Sequence, residues 1–193
     1  MFGGVVRGKV TTLRTPREDD LPFVNSWMAD MRVRRWGQLW DQPAILATWK
    51  ERLKEAAKDQ HGILWTLEAD GRPAGTVRIG LGRETPSVWV HHFVIDPERW
   101  QRGYGWDAAL ALHRYLFDYL DRTRSTLEVV ADNAAALRIA ERLGYRESGR
   151  GHEVYYRDGA YADDVWLRLD REGWEERWTS EREYEPLSEG IEG

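Results

Sequence analysis

Residues 94–112, "VIDPERWQRGYGWDAALAL", set two glycines, Gly103 and Gly105, between a short apolar run and a helical pattern. Ala108, Leu112, Tyr115, Leu116 and Tyr119 fall on one face, so the spacing predicts a long helix over 103–120. Asp96-Pro97 ends the strand before it, and residues 98–102 form a loop. A helix start carries unpaired N–H groups and the positive end of the helix dipole, and glycine lets an anion approach the backbone closely. Strand, glycine turn and helix together therefore suit a diphosphate, although an ordinary helix start has the same local pattern. Two nucleotide motifs do not fit. A dinucleotide fingerprint needs a further glycine and follows a first strand, and a nucleotide P-loop needs Gly-Lys-Ser/Thr where Trp106-Asp107 stands.

Upstream, Val5 to Leu13 suits a first strand. Leu21, Val24, Trp27, Met28 and Met31 predict a helix of about three turns, and Asp41-Gln42-Pro43 opens a second with Leu46, Trp49, Leu53 and Ala56 on one face. The period then changes to two. Residues 63–69 and 74–81 read as strands around the turn Asp70-Gly71-Arg72-Pro73, and Ser87 to Ile95 reads as a third. Downstream, Thr126 to Val130 is a short buried strand. Ala134 to Leu143 is a helix with Ala136, Ile139, Ala140 and Leu143 inward, stopped by Gly144. His152–Arg157 and Asp164–Leu169 flank the hairpin signal Asp158-Gly159. The fold class expected is α/β, an α+β mixed sheet of about seven strands flanked by about four helices, in one domain over residues 5–170.

Composition bounds the function. The 193 residues are 41% hydrophobic and 32% charged, which reads as soluble and globular. No apolar run approaches a membrane span, the first residues lack a signal peptide's layout, and there is no cysteine for a disulfide or thiolate metal site. A cytoplasmic protein with neither membrane nor metal is expected. The net charge of −5 lies wholly in residues 174–193; the remainder carries 26 charges of each sign, which argues against a nucleic-acid partner. That acidic tail reads as a solvated appendage, partly helical near Trp174–Trp178.

The order of elements and four strings, "DPERWQRGYGWDAAL", "DGRPAGTVRI", "LEVVADNAAALRIAERLGYRESG" and "YRDGAYAD", resemble the GNAT superfamily of acyl-CoA-dependent N-acetyltransferases. Within it, the chain is similar to the branch that acetylates ribosomal-protein N-termini, the RimJ/RimL type. The likeness runs from about Val10 to Leu169, and the first string matches the Arg/Gln-x-x-Gly-x-Gly/Ala signature with Trp100 in its first place. The resemblance implies acetyl-CoA as co-substrate. It places the CoA diphosphate on the N–H groups of Gln101, Arg102, Gly103, Tyr104, Gly105 and Trp106. It lays the pantetheine arm along Phe93, Val94 and Ile95, with Phe93 and Ile95 pairing like an added strand. It also implies a cofactor contact at Asn133, entry of the thioester where Thr126–Val130 splays from Ser87–Ile95, and a possible homodimer.

Acetyl transfer needs an amine that has lost a proton and a polarised thioester carbonyl. His91 is the candidate base, since a histidine titrates near neutral pH. Alternation along the strand sets Trp89, His91 and Phe93 on one face and His92, a weaker candidate, on the other. Glu128 on the neighbouring strand is the rival base, and Asp132 is expected to cap the following helix. The family's tyrosine that protonates the leaving thiolate falls at Ala140, so a different group serves, no acid is needed, or the protein is a non-catalytic acyl-CoA-binding module. Tyr145 reads as core. Among eleven tryptophans, Trp27 and Trp49 fill helix stripes, whereas Trp36 and Trp40 fit no stripe and, with Trp89, are candidate walls of the acceptor site. Arg32, Arg34 and Arg35 stand beside them and would suit an acidic acceptor or the CoA 3′-phosphate. The acceptor amine is therefore either a peptide or protein N-terminus or a small molecule.

Overall fold

A computed structural model describes residues 4–36 and 45–178. Among the described residues, one mixed sheet of eight strands runs β1-β2-β3-β4-β5-β6-β8-β7. Its strands are β1 (Val6–Arg7), β2 (Thr11–Arg14), β3 (Gly62–Ala69), β4 (Arg72–Leu81), β5 (Ser87–Ile95), β6 (Arg124–Val130), β7 (Arg146–Arg157) and β8 (Ala160–Asp170). The helices are α1 (Leu21–Ala29), α2 (Met31–Arg34), α3 (Leu46–Lys58), α4 (Tyr104–Arg114), α5 (Ala134–Leu143) and α6 (Arg171–Trp178). The mixed α/β class is as expected, with one strand and two helices more than the periodicity resolves.

The differences have local causes. The single strand expected over Val5–Leu13 is two antiparallel strands, because the chain turns back after Arg7. The carboxylate of Asp107, in the first turn of α4, holds that turn by accepting from the main-chain N–H of Lys9, Val10 and Thr11 and from the Thr11 hydroxyl. The first helix stops at Ala29, and Asp30 then caps α2 by accepting from the N–H of Arg32 at 2.8 Å. The α-helix expected over 103–120 ends at Arg114 and loosens into a π-turn over Tyr115–Tyr119. The opening residues of the second expected helix, Asp41-Gln42-Pro43, lie outside the described residues.

Two apolar clusters sit between the sheet and α4–α6. In the first, Leu13, Trp65, Leu67, Val77, Ile79, Val88 and Val90 pack against Ala108, Ala111 and Leu112 of α4. The second joins Val129, Val165, Leu167 and Leu169 to Ala140 and Leu143 of α5, and Phe93 and Leu127 touch both clusters. Trp174 and Trp178 are 1% and 4% exposed in this second cluster, so α6 is part of the packed body. The solvated tail expected from residue 174 is corrected to this extent, because two indoles on one helix bury more apolar area than the glutamates between them oppose. Segments near α1 cover the opposite face: the buried Asp20 accepts from both terminal guanidinium nitrogens of Arg14 at 2.8 Å and from the Thr66 hydroxyl at 2.7 Å.

One feature of the sheet positions the site. The parallel pair β5–β6 is in register only from Ser87–Arg124 to Val90–Leu127. Beyond that point β5 runs on to Ile95 and β6 to Val130 without pairing with each other, so the sheet opens between them.

Candidate active site

The split is sharpened by a bulge. Arg78 pairs with His92 but Ile79 pairs with Val90, which leaves His91 as the extra residue on β5. The expected alternation is therefore broken and corrected: Phe93 joins Val88 and Val90 on the core side, while His91 and His92 both share the side of Trp89. A residue opposite Arg78 and Gly80 must take their face, and one opposite Val77 must take the core face. Gly80 makes room for this arrangement, since a Cβ there would lie 2.4 Å from the His91 Nε2.

Where the strands part there is a cavity of about 330 Å³. Trp89, Val90 and His91 line it from β5, Glu128 and Val130 from β6, Tyr155 from β7, and Trp36 from the turn after α2. Of the candidate catalytic and acceptor residues, the structure thus brings together His91, Glu128, Trp36 and Trp89. His92 is not among the lining residues, and Trp40 lies outside the described residues. Burial and the positive charge of Arg78 lower the pKa of His91 below its ordinary value, against an opposing effect of Asp59. His92 is lowered further, to about 4, by burial, Arg78, His91 and Arg52. Both imidazoles are neutral at pH 7, but only His91 faces the cavity.

The sequence did not single out Tyr155. A register shift between Gly151 and Tyr155, with Glu153 at φ 55°, turns this side chain inward, and its hydroxyl donates to Glu128 Oε1. The doubled aromatic of Val154-Tyr155-Tyr156 before the hairpin is its only trace in sequence, because the shift obscures which tyrosine points in. Trp36 is fixed by cations: the guanidinium carbons of Arg35 and Arg157 lie 4.7 and 5.0 Å from its ring centroid. Arg35 pairs with Asp158 at 2.7 Å, and Arg157 donates to Asp132 and to the Arg35 carbonyl. The expected cap role of Asp132 therefore does not hold. Asn133 caps α5 instead, its Oδ1 accepting from the Ala136 N–H at 3.2 Å, one residue nearer the helix than Asp132.

On the other side of the split lies the glycine turn. Asp96 N–H bonds to the Ala74 carbonyl across β4, so alternation points the main-chain groups of Val94 toward β4 and those of Phe93 and Ile95 into the gap. Val94 is corrected on this ground: its main chain is committed to the sheet. The Trp100 indole N–H donates to the Ile95 carbonyl at 3.0 Å. Gly103 has φ 82°, which glycine adopts without penalty, and the helical residues after it turn successive N–H groups toward one concavity. A Cβ on Gly105 would meet the Ile139 Cδ1 at 3.3 Å, so the start of α4 sits hard against α5. The side chains of this turn are otherwise engaged. Tyr104 is buried, with its hydroxyl donating to Asp70 at 2.6 Å, and Trp106 packs under Arg142 at 3.7 Å and beside Trp178. Gln101, with φ 63°, and Arg102 are exposed. This main-chain concavity and the open edge of β5 fit a phosphorylated, amide-bearing chain such as the arm of coenzyme A.

A split parallel pair, with an open strand edge leading to a glycine-initiated helix, is the arrangement that the resemblance to acyl-CoA-dependent acyltransferases implies. The model of the acetyltransferase (GNAT) domain matches residues 11–146, and the chain belongs to that family. It is an N-acetyltransferase with acetyl-CoA as co-substrate and an amine as acceptor. A SPbeta prophage-derived uncharacterized N-acetyltransferase of Bacillus subtilis, YokL, is 22% identical over 87% of this chain and 94% of its own. Among solved structures, the spermidine N-acetyltransferase of Vibrio cholerae in complex with CoA and spermine superposes with a TM-score of 0.77 at 19% identity. That likeness covers 85% of this chain and 97% of the other. RimJ of Mycobacterium smegmatis in complex with CoA-disulfide gives 0.77 at 19% identity over 93% of each chain. Among the described residues no group of side chains could hold a metal ion, and no helix is long and apolar enough to cross a membrane.

Proposed function

We propose that the cavity at the β5–β6 split is where a primary amine meets the acetyl thioester, and that His91 takes the amine's proton. The observation that carries this reading is that His91 and Glu128 line one cavity at the point where the two strands cease to pair. The N–H groups of residues 101–106 hold the diphosphate, and Phe93 and Ile95 hold the pantetheine amides. The neutral amine attacks the thioester carbonyl, a C–N bond forms as the C–S bond breaks, and the amine's proton passes through His91 toward the departing sulfur. Ala140, at 3% exposed, is packed in the second cluster and offers no hydroxyl. No protein nucleophile is required.

The arginines beside Trp36 do not favour an acidic acceptor. Arg32 pairs with Asp30 and Glu98, Arg35 with Asp158, and Arg34 donates to the Met28 carbonyl. The reading takes the protein to act in the cytoplasm on an amine partner, with neither nucleic acid nor membrane, and allows for a homodimer; the balanced charge of residues 1–173 speaks against a nucleic-acid partner.

Thiol release from acetyl-CoA with a panel of amines tests the reading. The His91→Ala variant should lose about 10²-fold or more in kcat, with CoA affinity retained. Because the His91 pKa is lowered, the neutral base is present above that pKa. Activity should therefore fall on an acid limb below pH 6.5, and the limb should vanish in the variant. An unchanged profile would remove His91 from the reaction.

A further inference from the structure

Resting on the reading that the N–H groups of residues 101–106 hold the CoA diphosphate, we propose that Asp70, in the turn between β3 and β4, is a positioning residue for the cofactor. It acts through Tyr104, and with Arg99 it fixes both ends of the glycine turn on one hairpin. Ahead of the glycine turn, Arg99 Nη1 donates to the Ala69 carbonyl at 3.0 Å and lies 3.9 Å from the Asp70 carboxylate. Behind it, the Tyr104 hydroxyl donates to Asp70 Oδ2 at 2.6 Å. Tyr104 opens α4, and its ring is packed in the first apolar cluster, so the hydroxyl reaches the hairpin from a fixed base.

The residues between these anchors need the support. Gln101, Arg102 and Gly103 are exposed, with Gln101 at φ 63° and Gly103 at φ 82°. A residue with a Cβ rarely adopts the left-handed region and stays there only where its surroundings hold it. The N–H groups after Gln101 converge only while that conformation lasts, so the anchors set the fraction of protein ready for the diphosphate. The hairpin is a firm support. Ala69 pairs with Arg72, and Asp70 and Gly71 have φ 51° and 69°, as a tight two-residue turn requires. The tyrosine bond carries the effect of Asp70, because an ion pair of 3.9 Å at the surface contributes little. A carboxylate near the glycine turn also repels a diphosphate, so what Asp70 contributes is the hydrogen bond it accepts and not its charge.

Titration calorimetry with CoA tests this, since a misfolded fraction lowers the stoichiometry whereas a loosened glycine turn lowers the affinity. Asp70→Gly removes the acceptor and tolerates φ 51°, so it should raise the CoA dissociation constant about fivefold, the loss of one hydrogen bond. Tyr104→Phe keeps the ring and should raise it by about the same factor, and it keeps the test alive if Asp70→Gly does not fold. The double variant should bind no more weakly than either single one, because both remove one bond. Asp70→Asn keeps an acceptor and loses the charge, so it should bind CoA as tightly as wild type or tighter. With an amine that supports thiol release, Asp70→Gly should raise the KM for acetyl-CoA about fivefold and leave the KM for the amine unchanged. Unmoved dissociation constants in Asp70→Gly and Tyr104→Phe, a double variant that multiplies their losses, or an Asp70→Asn variant as weak as Asp70→Gly overturns this inference and leaves the transfer reading standing. The expected shifts in CoA binding with no thiol release from any amine overturn the transfer reading and leave this inference standing. A CoA complex with its diphosphate away from residues 101–106 overturns both.

Discussion

Replacing Asp107 by alanine should destabilise the protein by about 2–4 kcal/mol, a large share of the margin of a domain this size. Oδ1 accepts the Lys9 N–H at 2.8 Å, and Oδ2 accepts the Val10 N–H at 3.0 Å, the Thr11 N–H at 2.8 Å and the Thr11 hydroxyl at 2.7 Å. Lys9 and Val10 are exposed, so water replaces the carboxylate there at little cost. Thr11 is 3% exposed, and its two donors would be left in the core, at roughly 1–3 kcal/mol each before relaxation. Asp107→Asn separates charge from acceptor count: one oxygen can still serve Thr11, while the new amide opposes the Lys9 N–H, so about half the loss is expected. Urea unfolding followed by circular dichroism measures both variants, with an unchanged m-value as the check on two-state behaviour. A loss below about 0.5 kcal/mol for the alanine variant, or an asparagine variant less stable than alanine, would refute the argument.

Gly103→Ala adds a Cβ to a residue at φ 82° with open space around it, so the cost is backbone strain of about 1–2 kcal/mol. Unfolding should register that loss, and calorimetry should show weaker CoA binding wherever the turn relaxes to relieve it. His113 is 2% exposed, lies 2.7 Å from both the Ala109 carbonyl and the Tyr145 hydroxyl, and is lowered to about 4 by burial. Its folded pKa is below its unfolded one, so its contribution is full above about pH 6.5 and lost as pH falls toward 4, up to about 3 kcal/mol. Urea titrations at about pH 7 and about pH 4.5 should show the drop, and His113→Asn should flatten it.

Elements with a strong period were legible from sequence: β3 to β5 and α5 fall where alternation and helical spacing put them, and the turn Asp158-Gly159 joins β7 to β8, although β7 already begins at Arg146 and β8 at Ala160, ahead of the expected 152 and 164. What escaped was set by distant partners. The break between β1 and β2 is held by Asp107, far along the chain, and nothing within Val5–Leu13 announces it. The bulge at His91 is a property of the β4–β5 pair, so alternation within β5 alone assigned Phe93 to the wrong face. Charge composition made the chain from Trp174 onward look uniformly solvated, although Trp174 and Trp178 anchor α6 in the second cluster. In the site, His91, Glu128, Trp36 and Trp89 were legible from strand position and composition, and the cavity unites them. Tyr155 was not, because a register shift in β7 decides which of two adjacent tyrosines turns inward.

The central claim is that the opened edge of β5 and the start of α4 hold acetyl-CoA with its thioester at His91. A crystal structure with CoA tests it most directly. The account predicts the diphosphate on the N–H groups of residues 101–106, the pantetheine amides paired with Phe93 and Ile95, and the sulfur between β5 and β6 beside the cavity. A CoA bound elsewhere, or a sulfur remote from His91 and Glu128, would contradict it.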